Sequence, residues 1–419
     1  MMRRRDFLAA MALGAASLAT VGCEKPQDNA TEADDLMRDV RPGAQATTEQ
    51  NQAERLLAAA SLCDFGFRFA SAADEGTGNL LVSPLSAQMA LVLAANGADG
   101  DTLSQMQELL GGKADRLAAG LVAIAQSAGN QLRLANSIWV REGYDVSQDF
   151  LQRNADALDA DAYQSAFDEG TVRQINDWVS EKTNGMVTDI LDQIPALTQL
   201  YLVNALALDA VWASPYTDDQ VEQGSFTAAD GSTQDVEFLR TTEYSYLELA
   251  GATGFVKAYE GDALGFVGLL PPDRTDPAEL LSSLDAADWT SAITQEGSAK
   301  VVTAMPKLSY EWEADLAGAL AALGMTDAFD EREADFSRMA DPSGSENLYL
   351  GRVLHKTHID LDERGTKAGA ATVVEVVGTS AEVDAVEPQR VTLDRPFVYA
   401  IVDLATSAPV FLGIVRSVA

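Results

Sequence analysis

The alternation of apolar and polar positions divides the chain into a helical first third and a strand-rich remainder. Apolar residues recur at helical spacing over residues 53–72, and a short apolar strand at 79–84 is stopped by Pro84. A helix is predicted over 86–95, ended by the turn Asn96, Gly97, Ala98, Asp99, Gly100, with two more at 102–110 and 114–128. Residues 132–140 alternate as a strand. Residues 171–191 form a long amphipathic helical pattern interrupted by Asn184 and Gly185. The largely apolar run 200–212 is typical of a strand in the middle of a sheet. The middle third reads as strands with turns at Asp230-Gly231, Glu260-Gly261 and Pro271-Pro272-Asp273, plus helices near 277–284 and 313–323. Strands return from Tyr349 and close the chain at 395–403 and 409–415. This order indicates an α+β fold, with no break in composition across 51–419.

The first 22 residues read as an export signal rather than structure: Arg3, Arg4 and Arg5 precede an apolar stretch that reaches Val21. Paired arginines before a short apolar core resemble a twin-arginine signal. Thr20, Val21, Gly22 and Cys23 are similar to a bacterial lipoprotein cleavage box, which would make Cys23 the lipidated first residue, although Thr20 stands where Leu is more usual. Residues 23–50 are polar, without apolar periodicity, and read as a flexible tether. The expected location is therefore outside the cytoplasm, as a periplasmic or cell-surface lipoprotein, with the lipid as the only membrane contact; no run looks long enough to span a bilayer. Cys63 is then the only other cysteine, so the processed chain has no intramolecular disulfide, and its helical surroundings point to a core position.

A formal charge of −35, from 64 acidic and 29 basic residues, excludes nucleic acid as a partner, because such binding depends on Lys and Arg neutralising phosphates. Catalysis is also disfavoured. Only His355 and His358 are present, so a hydrolase triad would have to use one of them; on a strand their spacing puts them on opposite faces, which argues against a joint zinc site, and no Glu follows the first His as in helical zinc proteases. No metal or cofactor is expected.

Residues 363–379 carry a different signal. Side chains alternate across a strand, and the even positions Thr366, Ala368, Ala370, Thr372, Val374, Val376 and Gly378 are all uncharged, with the small ones first. Lys367 and Glu375 both fall on the odd face. One face of this segment is therefore fit for burial, a pattern that an ordinary half-buried strand shares.

Neighbouring motifs give it a meaning. Ser83, Pro84, Leu85 and Ser86 before a helix, the strand 132–140, the helix around Ile175 to Gly185, Leu202 to Ala205 with Trp212, Pro306 to Ser309, and Leu393 to Tyr399 (LDRPFVY) follow one another as in the serpins. From about residue 55 to its end the chain resembles this family of serine protease inhibitors.

The resemblance implies a serpin fold, with helices around three sheets and an exposed reactive loop that inserts into the large central sheet. It implies a suicide substrate and not an enzyme: a target protease cuts the loop, stays attached as an acyl ester, and is trapped as the loop becomes a new strand. The hinge would be Glu363, Gly365, Thr366, Ala368, Ala370 and Thr372. Counting from Glu363 by the family's spacing places the scissile bond at Thr379-Ser380, with Val377 and Ala381 as the nearest alternatives; Arg390 lies too far along for a sheet-length insertion. Thr379 would select a protease that accepts small neutral residues, elastase-like or subtilisin-like, or a cysteine protease. Ser83, Ser86, Asn204 and His355 match the buried cluster beneath which the sheet opens, called the shutter. Trp212 and Lys307, the latter paired with Glu363, match the breach where insertion begins. Lys367 departs from the Glu of many inhibitory members but points outward. A monomer is expected. The alternative is a non-inhibitory serpin acting as a binding or folding-related protein, whose hinge would typically carry charged or bulky inward residues.

Overall fold

The computed structural model describes residues 32–40, 48–158, 160–196, 198–295, 299–341, 347–366 and 387–418. Residues 367–386, which contain Ala368, Ala370, Thr372, Thr379 and Ser380, lie outside these, as do Cys23 and the signal segment.

Among the described residues the strands form sheets of eight, six, four and two members. The strands of the largest sheet are β1 (Asp34–Asp35), β2 (Leu132–Arg141), β3 (Asp161–Ser165), β4 (Leu200–Leu208), β5 (Ala210–Val211), β6 (Leu308–Asp315), β7 (Arg352–Leu361) and β8 (Gly365–Thr366). Their spatial order is β1-β3-β2-β4-β7-β8-β5, and β6 flanks β7. β4 is buried at every position, as befits a largely apolar strand covered on both faces. The six-stranded sheet, containing Phe397–Asp403 and Pro409–Val415, carries the other wall of the main core. Between the layers runs the helix Pro84–Ala95. Ser83 caps it, Pro84 occupies its first turn, and every residue in it is buried.

Three expectations change. The pattern at 171–191 gives a helix only over Glu169–Lys182, because Asn184 and Gly185 adopt positive φ of 53° and 75° and stop it. Residues 313–315 belong to β6, whose strict alternation of burial extends to Asp315, and the following helix is confined to Ala317–Ala322. The first helix, Thr48–Ala73, is longer than expected; its Gln52–Ala73 part is long and apolar enough to cross a membrane, yet half of it is buried inside the fold. Cys63 on that helix is buried, which pushes its thiol up to about 12.

Residues 32–40 fall within the stretch expected to be a tether, and they are docked. Asp34 and Asp35 pair antiparallel with Gln164 and Tyr163 on β3, the Leu36 amide donates to the Ala162 carbonyl at 3.0 Å, and Leu36, Met37 and Val40 pack on the main core. Leu36, Met37 and Val40 supply that contact in a mostly polar segment, and β1 covers the outer edge of the largest sheet. Replacing Leu36 and Val40 by Asp is expected to undock the segment. A thermal melt should show a lower midpoint, by a stability loss of about 1–3 kcal/mol, and sedimentation should show self-association through the bared edge. An unchanged melt would mean that the docking contributes nothing.

Candidate functional site

The seam between β4 and β7 organises the site. These strands run parallel and pair directly, from Arg352 opposite Tyr201 to Thr357 opposite Leu206. A parallel pair of this kind leaves a place where one further strand, antiparallel to both, would fit. β8 already holds the mouth of that place: Thr366 pairs with Leu361 of β7 and with Ala210 of β5, antiparallel in both cases.

Local chemistry explains why the chain turns here. Asp362 Oδ1 accepts from the amides of Arg364 and Gly365, closing a tight turn after β7. Gly365 then passes so close to β5 that a Cβ would sit 2.0 Å from the Ala210 carbonyl oxygen, so only glycine fits. Thr366, on the even face, is buried, and its hydroxyl is 2.6 Å from that of Tyr259.

The turn that leads into β8 is held from below. Three consecutive carbonyls accept hydrogen bonds: Asp362 from Trp212 Nε1 at 2.9 Å, Glu363 from the Tyr216 amide at 2.8 Å, and Arg364 from the Trp212 amide at 2.9 Å. The Trp212 ring stacks on Tyr259 at 4.4 Å. Lys307 Nζ lies 2.8 Å from carboxylate oxygens of both Glu363 and Glu237, so the expected pair is a triad. The Lys307 ammonium holds the Glu363 carboxyl below the usual carboxylate value. These side chains are partly exposed, so the triad positions more than it stabilises.

Under the middle of the seam lies a buried polar row. Asn136, Asn204 and His355 occupy facing positions on β2, β4 and β7. The Ser83 amide donates to His355 Nε2 at 3.0 Å; the proton of the neutral ring is therefore on Nδ1, which donates to Asn204 Oδ1 at 2.8 Å. Asn204 Nδ2 donates to the Ser86 carbonyl at 2.6 Å and to Asn136 Oδ1 at 2.5 Å. The Ser83 hydroxyl donates to the Val410 carbonyl and accepts from the Ser86 amide. Ser86 thus joins through its backbone only; its hydroxyl is buried without a partner among the described residues. Burial alone lowers His355 to about 3, which keeps it neutral. His358 sits on the opposite face near Glu311.

Asn136, Glu237 and Tyr259 are members of this arrangement that the sequence reading did not include. A signal for Asn136 existed: it is the one polar residue in the inward series Leu132, Leu134, Asn136, Ile138, Val140. Arg390 lies in the strand Gln389–Thr392, paired with Val302, and so is part of a sheet rather than of a loop.

A family model described as Serpin (serine protease inhibitor) matches residues 60–418, and the chain belongs to the serpin family. It is therefore a member of a family of protease inhibitors and not of enzymes. A protein of Thermococcus kodakarensis described as an uncharacterized serpin-like protein is 30% identical over 347 residues, covering 80% of each chain. Leukocyte elastase inhibitor of Bos taurus is 29% identical, covering 80% of this chain and 92% of its own. Among solved structures, the thermophilic serpin Tengpin in its native state matches with a TM-score of 0.83 at 36% identity, over 92% of this chain and all of that one.

The row makes stability depend on acid. In an unfolded chain His355 would titrate near its ordinary value of 6.5, whereas in the fold it titrates near 3. Its contribution is thus complete above pH 6.5 and is lost as pH falls towards 3. Unfolding midpoints measured between pH 8 and pH 4 should fall in this range. In His355→Gln the slope should flatten, and at pH 7.5 the variant should be less stable by about 1–3 kcal/mol, since one glutamine amide does not reproduce both ring positions and either the bond from the Ser83 amide or the bond to Asn204 Oδ1 is lost. Equal slopes in the two proteins would exclude His355 as their source.

Proposed function

We propose that this chain is an inhibitory serpin that traps a protease by inserting its cut loop between β4 and β7. The observation that carries the reading is the mouth of the seam. The strands pair directly below, and the first residues of the hinge lie as a strand above, antiparallel to both neighbours. Extending β8 along this line would send the even face inward, and beyond Thr366 that face is Ala368, Ala370 and Thr372. Each new ladder hydrogen bond contributes about 0.5–1.5 kcal/mol net, so a strand of about a dozen residues supplies on the order of 10 kcal/mol, enough to distort an attached enzyme.

In chemical terms the protease serine attacks the Thr379 carbonyl. The amide to Ser380 breaks, the Ser380 amine leaves with a proton from the protease's own histidine, and Thr379 remains as an ester. Insertion then competes with hydrolysis of that ester. Thr379 at the bond favours a serine protease with a small primary pocket, elastase-like or subtilisin-like; a cysteine protease would be held as a thioester. Cys23 as a lipid attachment site would place the inhibitor on the outer side of a membrane.

Incubation with elastase or subtilisin is expected to give a complex that survives boiling in detergent, and cutting the loop should raise the melting temperature sharply. Clean cleavage with no complex, across several small-pocket serine and cysteine proteases, would overturn the inhibitory reading and favour a binding or folding-related role. In the producing cell, Cys23→Ser is expected to move the protein from the membrane fraction to the soluble one. Retention on the membrane would sink the anchor.

A further inference from the structure

Lys257 is the one buried lysine among the described residues, at 3% exposure. It stands at the junction of three sheets. Its own strand, Ala252–Ala258, belongs to the six-stranded sheet; its Nζ lies 2.9 Å from Glu243 Oε1, at the end of the strand Thr233–Glu243 of the four-stranded sheet. The same nitrogen is 4.6 Å from the centre of the Tyr216 ring and 5.6 Å from that of Trp212, beside the top of the central sheet. Those are the residues whose donors hold the carbonyls of Asp362, Glu363 and Arg364.

An ammonium is strongly hydrated, and taking it out of water is costly even when paired. Methionine would fill the same space without that cost. Replacing both partners of a buried ion pair by apolar groups is often neutral or stabilising, and with Lys257 alone replaced, Glu243, whose side chain is 21% exposed, still reaches water. Stability therefore does not account for a lysine here. What the charge does provide is orientation: two aromatic faces and one carboxylate converge on a single nitrogen, which fixes the rings that grip the loop base.

We infer that Lys257 is a positioning residue for loop insertion, pinning the base of the loop while the seam opens, so that a cut loop enters the sheet faster than the protease can free itself. This rests on the inhibitory reading above. Without the pin the Trp212 and Tyr216 rings tilt, the three carbonyl contacts loosen and insertion slows. More cleavages then end in released protease and spent inhibitor.

The test compares the full chain with Lys257→Met and Lys257→Arg against subtilisin, measuring moles of inhibitor consumed per mole of protease trapped. Lys257→Met is expected to raise this ratio at least threefold while the rate of loop cutting stays unchanged and the melting temperature stays level or rises; Lys257→Arg, which keeps the cation, should restore most of the trapping. An unchanged ratio in Lys257→Met would overturn the inference, as would failure of Arg to rescue. Should Lys257→Met not fold, Glu243→Gln gives the same test: a smaller rise in the ratio is expected, and none would overturn the inference. If the unaltered protein traps no protease, the inhibitory reading fails, and the pin is tested by how fast thermal stability rises after the loop is cut. Lys257→Met should then be at least threefold slower, and equal rates would overturn the pin alone.

Discussion

The structure depends on one pairing, that of β4 with β7. Two parallel strands meet directly, from Arg352 to Thr357, although the chain carries a segment of strand character at the mouth between them. Parallel ladders are slightly weaker per residue than antiparallel ones, and a strand placed between would be antiparallel to both neighbours. The sheet is therefore complete in its hydrogen bonds and yet has a better arrangement available to it. Under the proposed function, everything else at the site would either keep the seam shut or govern where it opens.

Two kinds of contact divide this work. At the mouth, the Lys307 triad is partly exposed and screened, so it sets geometry and contributes little energy. Around it the fit is steric and directional: Gly365 has no room for a Cβ, and Thr366 meets a buried phenol. Halfway down the seam, Asn136, Asn204, His355 and the Ser83 amide form a satisfied chain in an apolar surrounding. Such a chain is costly to break at any single link, because each link broken leaves a buried group unpaired.

Much of this was legible in the sequence, for definite reasons. The largely apolar run at 200–208 and alternation at 132–140 specify the inner strands of the sheet, and the parity of 366–378 specifies which face can be buried, because the side-chain period of a strand is fixed. What the sequence could not supply was partnership across long distances. Glu237 reaches Lys307, and Tyr259 reaches Thr366, through strands whose register only the folded sheets set. Residues 313–315 read as helix because an Ala- and Leu-rich stretch follows directly; pairing with β7 decided otherwise. The docked segment 32–40 escaped notice since Leu36, Met37 and Val40 in a mostly polar stretch make no periodic pattern, and only the open edge of β3 gives them a purpose.

The direction of opening follows from which hydrogen bonds cross the seam. Asn204 with Asn136 stays on the β4 side, and both would move together, being on adjacent strands. Besides the backbone ladder, His355 Nδ1 to Asn204 Oδ1 is the side-chain bond that spans from one side to the other, and a strand arriving between β4 and β7 would have to break it. Beneath, the start of the Pro84–Ala95 helix is bound to both sides, its Ser83 amide to His355 and its Ser86 carbonyl to Asn204. That helix start acts as a bracket across the seam: separating the strands by the width of one more, about 4.8 Å, cannot leave both of its bonds intact. Opening of the proposed kind would therefore be coupled to a shift of the helix or to exchange of its partners, with polar side chains on an incoming strand as the natural replacements.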